Sequence, residues 1–296
     1  MATDVQLEIA EDELHRLLAP WVVKEFPRQS QDWQAIRGKL TKRFRKKRFS
    51  RSFLGKLLSS KPKKASKYRT PDHVDEVYSG DWARYRLPDP AKTDASTKTV
   101  YLEWNDSGYE TLVFARDRCH LLGISRIIEQ LQPKSVLEIG AGPGINLIAL
   151  SAVFPDIAFS GAELTATGVE TAKSVQKSEL PDVIELISPL PVKSRSAHQK
   201  IDFRQGDAQK LPFEDASFDL VFTRLAVEQM EQIRDSALAE IRRVARSHVI
   251  LVEPLRDFNR DPLQALATQV NNYISLEVSD LKRYGLEPLL QFSAWP

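Results

Sequence analysis

A chain of 296 residues, 42% hydrophobic and 28% charged, can bury a full core, either as one large domain or as one domain with an appendage. No run reaches the roughly 18 apolar residues of a membrane helix, the opening MATDVQLEIAEDEL is acidic where a secretory signal is basic and then apolar, and the lone Cys119 excludes an internal disulfide, so the expected setting is cytoplasmic and reduced. The net charge of +2 is unevenly placed: residues 37–69 hold 15 Lys or Arg and no Asp or Glu, leaving 27 basic against 40 acidic residues elsewhere.

In chain order, residues 1–36 carry apolar positions at helical spacing, as in LEIAEDELHRLLAPWVVKEF, and are expected to be helical. The basic segment 37–69 follows, interleaved with Phe44, Phe49, Phe53, Leu54, Leu57 and Leu58. On a helix, Phe49, Phe53, Leu54 and Leu57 share one broad face, giving a basic amphipathic segment. Three readings stay open for it. It packs as a helix with a solvated basic face or docks as an arm on the acidic body; it binds a nucleic acid; or it binds an anionic membrane. SSKPKKASKYRTPD (59–72) reads as a linker. Residues 1–72 therefore form a helical, basic extension. Residues 73–115 form a cap or substrate region, rich in Tyr78, Trp82, Tyr85, Tyr101, Trp104 and Tyr109, with TVYLEW (99–104) a possible strand. Tyr78, Trp82 and Tyr85 are the candidates for a lid. Residues 116–296 form the main domain, entered by the helix RDRCHLLGISRIIEQL (116–131).

That domain alternates strands and helices. SVLEIG (135–140), AFSGAEL (158–164), KIDFRQG (200–206), FDLVFT (218–223) and HVILVEP (248–254) are short apolar runs, and VEQMEQIRDSALAEIRRVAR (227–246) has helical periodicity. This order implies a doubly wound α/β fold with a mostly parallel sheet, whose ligand sits at the carboxyl ends of the strands. SPLPVKSRSAHQ (188–199) is longer than an ordinary link and is either a surface loop or a substrate-side insertion. DPLQALATQVNNYISLEVSDLKRYG (261–285) reads as one helix with Gly285 as its cap, and EPLLQFSAWP (287–296) as a sixth strand.

The first of these strands runs into a turn with Gly140, Gly142 and Gly144, and a helix follows directly. Glycines at such a place let a ligand approach the backbone. A dinucleotide fingerprint needs its third glycine at 145, where this chain has Ile145. The pattern E-x-G-x-G-x-G, with GDAQKLPF and AEIRRVAR downstream, resembles the class I methyltransferases that use S-adenosylmethionine (SAM), type 11 in particular.

The resemblance is motif-specific over 135–254. It implies a Rossmann-like methyltransferase sheet and an enzyme that uses SAM. It places Gly140, Gly142 and Gly144 against the methionyl and ribose part and Glu138 near the cationic end. Glu163 would take the ribose hydroxyls, Asp207 with the Ala208 amide the adenine edge, and Thr223 with Arg224 the reaction side. Family sheets usually have seven strands; the residues after Pro254 leave nothing for the seventh, so a shortened sheet is expected, with TVYLEW as the alternative to fill the gap. The implied acceptor is a small molecule or metabolite; a macromolecule or lipid recruited by 37–69, or a non-catalytic binding module, are the alternatives. Residues 223–226, Thr-Arg-Leu-Ala, lack the Asn/Asp-Pro-Pro-aromatic motif of adenine-N6 methyltransferases.

No catalytic base stands out. His120, Arg224 and Glu253 are the weak candidates, each with a structural alternative. The five histidines show no metal-ligand spacing, and no metal is expected. No G-x-S-x-G elbow and no phosphate loop is present.

Overall fold

A computed structural model describes residues 11–51, 70–85, 99–104, 107–259 and 261–291. The amino-terminal part comprises α1 (Glu11–Leu18), β1 (Val22–Pro27), α2 (Gln31–Arg51), α3 (Pro71–Ala83), β2 (Thr99–Trp104) and β3 (Ser107–Leu112). Next come α4 (Val113–Leu131), β4 (Ser135–Ile139), α5 (Ile145–Val153), β5 (Ala158–Glu163), α6 (Ala166–Gln176) and α7 (Asp182–Ile187). The chain closes with β6 (Asp202–Gln205), β7 (Phe218–Arg224), α8 (Arg234–Val244), β8 (Ala245–Val252) and α9 (Pro262–Asn271).

Five strands form a parallel sheet in the order β6-β5-β4-β7-β8. Its strands are apolar at successive positions because both faces are covered. Val136, Leu220, Phe222 and Ile250 face the α4–α5 layer with Leu121, Ile128, Leu147 and Leu150, while Leu137, Ile139 and Val221 face α8 with Leu238, Ile241 and Val244. The winding reverses at β4, whose neighbours are β5 and β7, so the crevice for a ligand opens beyond the carboxyl end of β4. The glycine turn occupies that end.

Among the described residues the parallel sheet has five strands, one fewer than the sequence suggested. Residues 286–291 form no strand, and 292–296 lie outside the described residues. The stretch read as one C-terminal helix is α9, an extended link, and a 3-10 turn over Val278–Tyr284 that Gly285 closes at φ 71°. Asn272 ends α9 in the left-handed conformation, a stop that the apolar periodicity conceals. TVYLEW is a strand, but it does not fill the gap: β1, β3 and β2 make a separate antiparallel sheet. The helical expectation for 1–36 fails at β1, where Pro20 interrupts the pattern and WVVKEF pairs with β3 instead.

The long segment 188–199 is a surface loop on the side away from the crevice. The Lys193 and Ser194 amides donate to the Ala152 carbonyl at the far end of α5, and His198 is buried with its ring on the Ser178 carbonyl. The basic helix α2 is docked on the body. Arg37 pairs with Glu103 and with Asp261 at the start of α9, Lys47 donates to Asn271 (2.8 Å), and Trp33 is buried with its Nε1 on Glu103 (2.8 Å). Within α2 the apolar positions make no continuous stripe; Phe53, Leu54 and Leu57, on which the amphipathic reading rested, lie outside the described residues.

Candidate active site

Gly140, Gly142 and Gly144 have φ of 76°, 52° and 77°, the left-handed region that favours glycine. Space imposes the same choice: a Cβ would stand 2.5 Å from the Ala226 Cβ at Gly140 and 2.5 Å from the Phe203 ring at Gly144. At Gly142 it would stand 3.0 Å from the Trp82 ring.

The turn's amides are already used. Those of Gly140 and Ala141 donate to the Ala162 carbonyl, that of Gly142 to Glu163 Oε2 (2.9 Å), and that of Gly144 to the Ala141 carbonyl. Pro143 has none. The N–H groups of the turn itself are therefore engaged, and it serves as a close-approach surface.

Glu138 is wholly buried at the end of β4. Its Oε1 accepts from Asn146 Nδ2 (2.6 Å) on the first turn of α5, and its Oε2 has no partner. Burial pushes its carboxyl up to about 8, against the Asn146 bond and the field of Arg224, which favour the charged form. An unpartnered buried carboxylate oxygen beside a glycine turn fits a cationic ligand.

Glu163 ends β5 and is buried. Oε1 accepts from the Thr165 amide (3.1 Å) and hydroxyl (2.9 Å), while Oε2 takes only Gly142. A carboxylate offers about four acceptor sites, so Oε2 retains one for a ligand hydroxyl. Asp207 lies beyond β6, with Oδ1 on the Gln209 amide (2.9 Å) and Oδ2 on its side chain (3.1 Å), and Ala208 is buried beside it.

The predicted reaction-side residues sort differently from the sequence expectation. Thr223 is fully buried and gives its hydroxyl to Glu253 Oε1 (2.8 Å). Glu253 also accepts from the amides of Ala226 (3.1 Å), Val227 (3.1 Å) and Glu228 (3.0 Å). Its carboxylate thus clamps the loop after β7, so the geometry makes Glu253 and Thr223 positioning residues. Arg224 donates through Nε to His120 Nδ1 (3.0 Å) and through Nη2 to Asp117. Because Arg224 only donates, His120 Nδ1 is the acceptor in that bond. Tyr85, with its phenol pushed up to about 12 by burial and by the charge of Asp117, completes the cluster.

The lid candidates converge on the glycine turn. Tyr78 stacks on Trp82 at 5.6 Å, Tyr85 meets Trp82 edge-on at 6.0 Å, and the Trp82 ring packs on Gly142 and Gly168 with Nε1 buried and unpartnered. Asn146, Thr165 and Asp117 were missed. Asn146 stands out as the polar residue opening an apolar helix, and Asp117 lies three residues before His120 on one helical face.

A groove of about 830 Å³ runs along the free edge of β8. It starts at His120, Leu225 and Glu228 and has Leu251 on one wall and Leu286 and Leu290 on the other. Leu225 lines it while its neighbour Ala226 lies against Gly140, so one loop separates groove from turn. Among the described residues, no His, Cys, Asp or Glu cluster could hold a metal ion, and no helix is long and apolar enough to cross a membrane.

The sequence profile of a methyltransferase domain matches residues 137–252, which run from β4 to the end of β8 and contain the turn, Glu163, Asp207 and Arg224. Over that stretch, and not over the rest of the chain, the sequence is similar to the methyltransferase-domain family. The phthiotriol/phenolphthiotriol dimycocerosates methyltransferase of Mycobacterium tuberculosis is 28% identical over 178 residues, 57% of this chain and 58% of that protein. Norajmaline N-methyltransferase of Rauvolfia serpentina is 27% identical over 114 residues, 38% of this chain and 33% of that one. The solved YcgJ protein of Bacillus subtilis is 25% identical with a TM-score of 0.34, covering 49% of this chain and 54% of its own. The chain spans about half the length of the first curated relatives it matches.

Proposed function

We propose that this chain transfers a methyl group from SAM to a small organic acceptor held at the His120–Leu225–Glu228 end of the groove. One observation carries the reading: the only unpartnered polar atom of Glu138 is a buried carboxylate oxygen, beside a glycine turn whose own amides are engaged. A ligand that is cationic and hydroxylated suits that pair. Glu138 would hold the ammonium end, Glu163 Oε2 a ribose hydroxyl, and Asp207 with Ala208 the adenine edge.

The sulfonium supplies an already activated methyl, so the protein's task is alignment and exclusion of water. Trp82 and Tyr78 cover the turn. The Glu253 clamp fixes the loop that separates cofactor and acceptor. The Arg224–His120–Asp117 cluster lies at that end of the groove and would border the acceptor. A reduced, cytoplasmic setting belongs to this reading, supported by the buried Cys119, whose thiol burial pushes up to about 12.

A second reading concerns the acceptor alone. The groove follows β8 with Leu251, Leu286, Leu289 and Leu290 among charged and polar residues, which leaves room for an acceptor with an apolar part, and the Mycobacterium relative is named for a lipid. Thermal unfolding tests the main reading. SAM and S-adenosylhomocysteine should raise the midpoint and NAD should not; stabilisation by NAD alone would overturn it.

A further inference from the structure

The charge of α2 is not used up by its docking. Its inward side carries Trp33, Arg37, Phe44 and Lys47, all engaged with the body or lining the groove. At about 100° per residue, Lys39, Lys42 and Lys46 fall on the opposite side and Arg43 on its flank. All four are exposed, and none makes an ion pair with a described acid. The one acidic residue of α2, Asp32, sits in its first turn, two turns away from Lys39. Phe49 follows Lys42 at seven residues, so it joins the same side, and it is 55% exposed. The helix is docked on the body, and these four cations stay exposed and unpaired with any described acid.

Phe44, on the inward side of α2, lines the groove and not this face. Cations alone fit any polyanion. Cations on the same side as an exposed phenyl ring fit a surface that is anionic outside and apolar just beneath.

We propose that the outward face of α2, with Lys39, Lys42, Lys46, Phe49 and the flanking Arg43, docks the protein on an anionic lipid bilayer. Attachment is mainly electrostatic, because α2 has no continuous apolar stripe, and Phe49 is its anchor. Attachment does not depend on methyl transfer and stands or falls separately from it.

Co-sedimentation of the full chain with vesicles tests this. Vesicles of equal parts phosphatidylcholine and phosphatidylglycerol should bind at least tenfold tighter than phosphatidylcholine alone. Binding should fall steeply between about 0.1 M and about 1 M salt, where the Debye length shrinks from about 10 to about 3 Å. The combined Lys42→Glu, Arg43→Glu and Lys46→Glu variant should lose at least tenfold with an unchanged circular dichroism spectrum, and Phe49→Ser should lose about threefold or more. Wild-type sedimentation by the charge-reversed chain would overturn the proposal. So would a single-stranded RNA that binds tighter than the anionic vesicles with Phe49→Ser without effect, the result that marks a nucleic-acid face.

Discussion

Replacing Glu138 by Gln separates the burial of this carboxyl from its chemistry. The side chain keeps its shape, and Oε1 can still accept from Asn146. Burial moves the Glu138 carboxyl from 4.5 to about 8, so between these values the native protein holds a proton that the unfolded chain releases. Stability contributed by this group is therefore complete below about pH 4.5 and is lost as pH rises toward 8. At about 1.36 kcal/mol per pH unit the full span is on the order of 4–5 kcal/mol, and the window from about pH 5.5 to 8 covers about 3 kcal/mol. Urea unfolding across that window should show the wild type losing stability relative to Glu138→Gln by about 2–3 kcal/mol. Cofactor binding has the complementary signature. A cation beside Oε2 draws the proton off, so binding at pH 7 should release close to one proton, measurable by calorimetry in buffers of different ionisation enthalpy. Glu138→Gln should release none. Parallel stability profiles for the two proteins would show a solvated or already ionised carboxyl and remove the reason for placing a cation there.

Three further perturbations follow from the hydrogen bonds of the site. Glu253→Ala strands the amides of Ala226, Val227 and Glu228 and should cost about 3 kcal/mol in denaturant unfolding, at about 1–3 kcal/mol per unsatisfied buried group; a loss below about 1 kcal/mol would deny the clamp. Glu163→Ala should weaken SAM binding by about 1.5–3 kcal/mol, whereas intact binding with lower turnover would assign Glu163 to the chemistry instead. Trp82 packs on Gly142, so SAM should change tryptophan fluorescence in the wild type and lose most of that change in Trp82→Phe; an undiminished signal would place the ligand elsewhere.

The sheet was legible because its inner strands are buried on both faces and the glycine turn marks the switch point. That Glu163 and Trp82 would meet at this turn was legible for local reasons: glycine spacing, an acidic residue at a strand end, aromatics at helical spacing. What escaped depends on contacts distant in sequence. Glu253 ends a strand in the manner of a site residue, yet its four donors come from residues 223–228, and only the fold brings them together. β1 escaped because its partner, β3, lies some eighty residues downstream. The groove escaped because it is the space beside an unpaired strand edge, which no motif encodes.

Calorimetric titration of SAM into the wild type and Gly142→Val tests the assignment of the glycine turn most directly. The wild type should bind one SAM per chain. Gly142→Val, strained at φ 52° and with its side chain against the cofactor surface and Trp82, should bind at least a hundredfold more weakly while remaining folded by circular dichroism. Equal binding by the two proteins, or no binding by the wild type, would contradict the assignment.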